Sequence, residues 1–244
     1  MRRFYSPPDS FAHGCVTLDE NETRHLRDVL RLQPGDTVNV FDGIGREFEC
    51  RIEKIEKRAS LVSVIRKTEP PAAESHLDLT LCAAILKSDK TDIAVQKAVE
   101  LGVNLFIPML TARCDVKPKG AAKRVERWRK ITLEASKQCG RARLMEIGDV
   151  SPFDNLIRKT AGKLKPDKKI FFFSERDGEK FNVAIKAKSI TTFLGPEGGW
   201  DDSEINLARE LGAQVITLKG RIMKADTAAI AISAILQHHF GDLN

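Results

Sequence analysis

Leu194-Gly195-Pro196-Glu197-Gly198-Gly199-Trp200, read with Leu218-Lys219-Gly220-Arg221-Ile222-Met223 about twenty residues on, sets the architecture of this chain. Each stretch follows a short apolar run of strand character, Ile190–Leu194 in the first case and Ala213–Leu218 in the second. Each leads into a helical pattern. Glycine has no Cβ and accepts φ > 0, so such turns can bring bare backbone against a ligand. Gly-Pro and Gly-Gly are also ordinary turn punctuation. The pair of loops, with Ala225-Asp226-Thr227-Ala228-Ala229 opening the next helix, predicts a cofactor cradle. Neither the G-x-G-x-x-G of dinucleotide sites nor the Gly-Lys-Ser/Thr of a phosphate loop occurs, which argues against NAD and ATP.

Working outward, the chain from Leu77 alternates strand and helix patterns. Leu77–Leu86 reads as a strand and Asp89–Leu101 as a helix with Ala94, Val95, Ala98 and Leu101 on one face, capped by Gly102. Asn104–Leu110 and Lys169–Ser174 read as strands, Ala121–Cys139 as a long helix. Asp201-Asp202-Ser203-Glu204 has the form of a capping box, and Gly212 of a helix stop. This alternation predicts an α/β fold with a mostly parallel sheet and helices on both faces. The last helix, Ala225–Phe240, is small or apolar almost all round. Such a helix is buried on every side, by the sheet and by a partner subunit.

Residues 1–70 carry short strands instead: Thr37–Phe41 after the turn Gln33-Pro34-Gly35-Asp36, then Glu47–Ile52 and Ser60–Ile65, preceded by a helical piece at Asn21–Leu30. Runs at this spacing predict a small β-barrel. Residues 71–76 form a linker behind the proline pair Pro70-Pro71, and residues 77–244 the larger α/β domain.

The 244 residues carry a net charge of +6. Its distribution is uneven: residues 1–75 hold 12 basic and 13 acidic side chains, whereas residues 113–143 hold 11 basic and 3 acidic. A local basic field of this kind suits a polyanion partner. No run of about eighteen apolar residues is present, so no membrane span is expected. The N-terminus lacks the apolar segment of a secretory signal. Five scattered cysteines without C-x-x-C spacing predict reduced thiols and a cytoplasmic setting, with no zinc site.

Taken in order, these motifs resemble one family. Arg2-Arg3-Phe4-Tyr5, His25-Leu26-Arg27-Asp28-Val29-Leu30-Arg31-Leu32 and Pro34-Gly35-Asp36 resemble a PUA-like RNA-binding barrel. Lys87-Ser88-Asp89-Lys90, Gln96–Val103 and Glu134–Arg141 resemble the start and the central basic helix of a catalytic domain. With Gly195–Gly199, Gly220–Met223 and Thr227-Ala228, the whole is similar to the SPOUT superfamily, in particular the bacterial family that methylates uracil N3 in 16S ribosomal RNA. The resemblance implies S-adenosylmethionine as cofactor, a C-terminal trefoil knot, a homodimer, and 16S rRNA or the small ribosomal subunit as partner. Where such proteins carry Ile-Leu-Arg-x-Glu-Thr-Ala, this chain has Ile222-Met223-Lys224-Ala225-Asp226-Thr227-Ala228; Lys224 lacks the planar fork of Arg.

The cofactor would then lie against Leu194, Gly195, Pro196, Glu197, Gly198, Gly199, Leu218, Gly220, Ile222, Met223, Thr227 and Ala228. Arg221 is the candidate cation for charge developing on the uracil oxygens, with Glu197 and Asp226 as proton acceptors or as groups that orient it. No metal is required. N3 lies on the pairing edge, so the base must be unpaired or flipped out. Arg2, Arg3, Arg24, Arg27 and Arg31 on the barrel, and Lys87, Lys90, Lys137, Arg141 and Arg143 beyond it, are the expected phosphate contacts. Two other readings stay open: a SPOUT enzyme acting on a ribose 2′-oxygen, and a non-catalytic rRNA-binding assembly factor.

Overall fold

The computed structural model describes residues 2–116, 120–163, 165–182 and 186–243. Lys117 and Lys119 of the basic window lie outside them. The chain divides into two compact units, Met1–Glu74 with Leu133–Leu144, and Ser75–Thr132 with Met145–Asn244.

The first unit contains β1 (Arg3–Tyr5), β2 (Phe11–Ala12), β3 (Cys15–Leu18), α1 (Glu20–Arg24), β4 (Thr37–Phe41), β5 (Glu47–Ile55) and β6 (Ser60–Thr68). The six strands run in the order β1-β4-β5-β6-β3-β2, antiparallel except for the parallel pair β1·β4. Their alternating apolar residues, among them Phe4, Val16, Leu18, Val38, Val40, Ile52 and Val62, close over one buried core. The expected helix at Asn21–Leu30 is shorter. Asp19 caps α1 through the Glu22 N–H at 2.8 Å, and the chain then widens into a π-helical turn at His25–Val29 that sinks Leu26 into the core.

Three cations expected at the RNA surface are instead buried inside this unit. The Arg3 guanidinium, 1% exposed, donates twice to Glu47 Oε2 (3.0 and 2.9 Å) and once each to the carbonyls of Ser136 (2.6 Å) and Arg141 (2.8 Å). It also lies 4.1 Å from the centre of the Phe41 ring. Arg141 forms a two-pronged pair with Glu74, at 3.2 and 2.7 Å. Lys137 is paired with Glu22 and Glu134. A buried charge already matched to a carboxylate is not free to hold a phosphate, so Arg3, Lys137 and Arg141 are withdrawn from the set of RNA contacts.

The second unit contains β7 (Asp78–Ala84), α2 (Lys90–Glu100), β8 (Leu105–Leu110), most of α3 (Ala121–Cys139), β9 (Glu146–Ile147), β10 (Ser151–Pro152), α4 (Phe153–Ala161), β11 (Lys168–Phe173), β12 (Ser189–Leu194), α5 (Asp202–Glu210), β13 (Gln214–Ile216) and α6 (Ala225–Phe240). A seven-stranded parallel sheet runs β10-β8-β7-β12-β11-β13, with β9 beside β8. Its central strands are buried toward their C-terminal ends, as a sheet covered on both faces requires. Along β11 the faces alternate. Phe172 meets Phe153 of α4 and Trp200, whereas Phe171 meets Phe240 of α6. Within one chain α6 buries Ala229, Ile232, Leu236 and Phe240, while Ile230, Ala231, Ala234 and Ile235 are half-exposed, on the side the sequence reading left to a partner subunit.

All five cysteines are free. Burial, then the nearby Glu49 carboxylate, pushes the Cys50 thiol up to about 12, and burial also raises Cys82. At about pH 8 a thiol reagent should therefore modify Cys15, Cys114 and Cys139 and spare Cys50 and Cys82 until the chain unfolds; early labelling of either would contradict this packing. R3A should lower the denaturation free energy by about 3–5 kcal/mol, because it strands the Glu47 carboxylate. R3K should recover only part of the loss, since ammonium lacks the fork. A urea titration in which R3A unfolds like the parent would show that the Arg3 network contributes nothing.

Candidate active site

Open parallel sheets bind ligands beyond the carboxyl ends of their strands. Here β11 and β12 end side by side at Phe173 and Leu194. The segments that leave β12 and β13 enclose a cavity of about 540 Å³ with α6. That volume lies within the usual range for small-molecule sites, roughly 300–1,000 Å³.

The first loop is held by Trp200. Its buried indole lies 4.2 Å from the Phe172 ring centre, and its Nε1 donates to the Phe173 carbonyl at 2.9 Å. The Arg176 guanidinium donates to the Trp200 carbonyl at 2.9 Å. A Cβ on Gly195 would sit 2.9 Å from the indole Nε1, and one on Gly199, where φ is +70°, only 2.6 Å from Glu175 Oε1. Gly195 is therefore demanded by the packing of the buried indole, and Gly199 by its left-handed backbone beside the Glu175 carboxylate. Gly220 differs: φ is +113° and nothing lies within 4 Å of a Cβ there, so open space surrounds it.

Glu197 Oε1 accepts from Lys90 Nζ at 3.0 Å and from the Lys87 N–H at 3.4 Å. Burial alone would raise its pKa. The Lys90 hydrogen bond and two backbone N–H bonds outweigh burial and hold the carboxyl below the ordinary glutamate range. The pair's stabilisation is thus present above the ordinary glutamate pKa and fades as pH falls through the depressed value. Arg221 lines the cavity, exposed, with no ion-pair partner among the described residues.

Of the expected cofactor residues, Leu194 to Gly199, Leu218, Gly220, Ile222, Met223 and Ala228 line the cavity. Thr227 does not, and neither does Asp226. The helical period turns Ala225, Ala228 and Ile232 toward the cavity and carries the two intervening side chains away. Asp226 sits in the first turn of α6, where the helix dipole favours a carboxylate, and its Oδ1 is buried without a hydrogen-bond partner. Trp200, Lys224 and Ala225, which belong to the quoted motifs, also line the cavity, as do Phe173, Ser174, Glu175 and Ile232, which no motif marked. Glu175 follows β11 without any glycine signature. Only the strand order, which sets β11 beside β12, brings it in.

Among the described residues, no three His, Cys, Asp or Glu side chains gather as a metal site, and no helix is long and apolar enough to cross a membrane.

The family described as "RNA methyltransferase domain" matches residues 73–237, and "RNA methyltransferase PUA domain" matches residues 18–65. The chain belongs to this RNA methyltransferase family. Ribosomal RNA small subunit methyltransferase E of Synechocystis is 31% identical over 96% of this chain and 76% of its own length. The protein of that name from Aquifex aeolicus is 29% identical over 98% of this chain and 100% of its own length. The crystal structure of ribosomal RNA small subunit methyltransferase E from Neisseria gonorrhoeae bound to S-adenosyl methionine superposes with a TM-score of 0.87 at 32% identity, covering 100% of both chains. The resemblance to small-subunit rRNA methyltransferases read from the motifs is borne out.

Within this RNA methyltransferase domain the two loops should respond differently to a methyl group. G195A drives a methyl group against the buried Trp200 indole, and should cost about 1–3 kcal/mol. G220A meets no neighbour and takes only the strain of its φ, about 1–2 kcal/mol. A G195A variant that melts like the parent would contradict the packing of Gly195 against Trp200.

Proposed function

We propose that this chain methylates N3 of one uridine in small-subunit ribosomal RNA, with S-adenosylmethionine as donor. The observation that carries the reading is the cavity built by the two glycine-bearing loops at the C-terminal edge of the sheet, in a chain of the RNA methyltransferase family. The residues present fit that cofactor. Leu194, Leu218, Met223 and Ile232 offer apolar walls for a flat base, and the Glu175 and Glu197 carboxylates suit hydroxyls and positive charge.

When bound, the cofactor supplies an electrophilic methyl group on a sulfonium. The chain's own residues do the rest. N3 carries a proton, which passes to solvent as the new N–C bond forms and the methyl–sulfur bond breaks, so negative charge spreads onto the flanking carbonyl oxygens. Arg221, unpaired and at the cavity wall, stabilises that charge. Glu197 is already matched by Lys90 and is a weakened base, so its part is to anchor the loop. Asp226 lies off the cavity and takes no proton from the substrate in this reading. Of the remaining RNA candidates, Arg24, Arg31 and Arg143 are exposed, Arg2, Arg27 and Lys87 are partly occupied by Asp36, Asp28 and Asp115, and Lys90 is matched to Glu197.

The finer architecture belongs to the same proposal. The trefoil knot, with α6 threaded through a loop, is supported by the strand order around β11 and β12; an experimental chain trace with α6 outside every loop would remove it. A homodimer is supported by the half-exposed apolar residues of α6 and by Ile222, 86% exposed, and a cytoplasmic setting by the five free cysteines; sedimentation as a monomer at micromolar concentration would remove the dimer.

The deciding experiment transfers labelled methyl groups to small ribosomal subunits that lack their native modifications. Label should appear in 3-methyluridine. Label in a 2′-O-methyl nucleoside would overturn the N3 assignment, and no label, with no cofactor bound, would favour the non-catalytic reading. R221A should lower kcat by about 10²–10³, with S-adenosylmethionine affinity little changed. An undiminished kcat would exclude Arg221 from the chemistry.

A further inference from the structure

A second concavity lies at the other end of the parallel sheet. Leu105, Thr80, Thr191 and Ile170 pair in register across β8, β7, β12 and β11, near the N-terminal ends of those strands. Leu156, Lys159 and Thr160, at helical spacing, present one face of α4 beside that row, and Lys163 follows in the turn after the helix. Between them runs a groove of about 280 Å³.

Four lysines edge this groove: Lys159 on α4, Lys163 in the turn that follows it, and Lys168 and Lys169 at the start of β11. None of their ammonium groups has an ion-pair or hydrogen-bond partner among the described residues. They belong to a run, residues 158–169, that holds Arg158, Lys159, Lys163, Lys165, Lys168 and Lys169 against Asp167 alone. The net charge of residues 113–143 is larger, but there Arg113, Arg127, Lys137 and Arg141 are matched to carboxylates. The lysines of the groove are unmatched.

Unmatched like charges on two edges of one groove repel each other, and an extended polyanion relieves that repulsion. Ammonium groups are point charges without a recognition fork. They hold phosphates without reading bases. The floor, apolar with threonine hydroxyls, can face riboses. From Lys168 to Phe173 the strand rise places the groove roughly 17 Å from the cofactor cavity, too far for its lysines to touch a base in reaction.

Resting on the reading that this chain acts on ribosomal RNA, we infer that the groove between α4 and the N-terminal ends of β7, β8, β11 and β12 is a second RNA site, gripping the phosphate backbone of the substrate away from the target uridine through Lys159, Lys163, Lys168 and Lys169. Its contribution is to affinity and not to chemistry.

The test compares the full-length chain with K159Q/K163Q/K168Q/K169Q, using small-subunit rRNA over a range of salt. Losing four phosphate contacts should lower the slope of log affinity against log salt by about 3, and weaken binding at least roughly tenfold near 0.1 M salt. S-adenosylmethionine affinity, melting temperature and kcat at saturating RNA should hold. If the quadruple variant folds poorly, K159Q/K163Q, with one exposed side chain on α4 and the other in the turn after it, should lower the slope by roughly 1.4. An unchanged slope with cofactor binding intact would overturn the groove alone. Loss of cofactor and RNA binding together would make the lysines structural and also overturn it. So would unchanged RNA binding with loss of binding to polyglutamate, which would assign the groove to an acidic protein. Parent protein that neither binds rRNA nor labels it would overturn the proposed function itself.

Discussion

Trp200 ties the core of the methyltransferase unit to its site. The indole fills the space between Phe172 and Phe153, while its N–H reaches the Phe173 carbonyl. The loop that leaves β12 is thereby pinned across the end of β11. One residue on, Asp201 starts α5: its carboxylate accepts from Ser203, and Glu204 returns a bond to the Asp201 N–H. Glu204 also accepts from the Ala112 N–H at 2.9 Å, and Arg113 reaches Asp201 at 3.3 Å. Core packing, loop path and helix start are thus consecutive consequences of one buried aromatic side chain. A wall fixed in this way needs little ordering when a ligand arrives.

The opposite wall is built on different terms. Gly220 has empty space where a Cβ would be, Arg221 is exposed, and Ile222 is 86% exposed. Few buried contacts hold this segment, which is where local opening concentrates. The cavity therefore joins a rigid wall, whose glycines serve the protein's own packing, to a compliant one whose glycine faces open space. Reading both glycine clusters as backbone cleared for a ligand is compatible with the open space at Gly220 and incomplete for Gly195 and Gly199, where Trp200 and Glu175 occupy the cleared space.

Several elements were legible because their signal is local. Thr37–Phe41, Ala121–Cys139 and Ala225–Phe240 have the bounds that periodicity and flanking turns imply, and the capping box at Asp201 forms as its spacing requires. What escaped depended on distant partners. Arg3 lies 44 positions from Glu47 and 133 from Ser136, and no local pattern marks a cation as already neutralised. Glu175 enters the site through strand order, which alternating patterns leave open. Asp226 and Thr227 sit in a recognisable motif, yet the phase of α6 within its own first turn decides that Ala225 and Ala228 face the cavity.

The same distinction governs the electrostatics. A basic count measures potential at a distance, whereas binding draws on cations whose heads are still hydrated and unmatched. Lys137 has exchanged its water for Glu22, at a desolvation cost visible in the Glu22 carboxyl, which burial raises above its ordinary pKa despite the lysine beside it. Removing Lys137 would expose that cost and offer nothing to a phosphate. Arg221 and the lysines beside α4 have made no such exchange, and a developing or resident negative charge meets them without first breaking a bond. A cation's usefulness to a polyanion follows from what it has not yet paired with, and in this chain that property is distributed by tertiary contacts and not by composition.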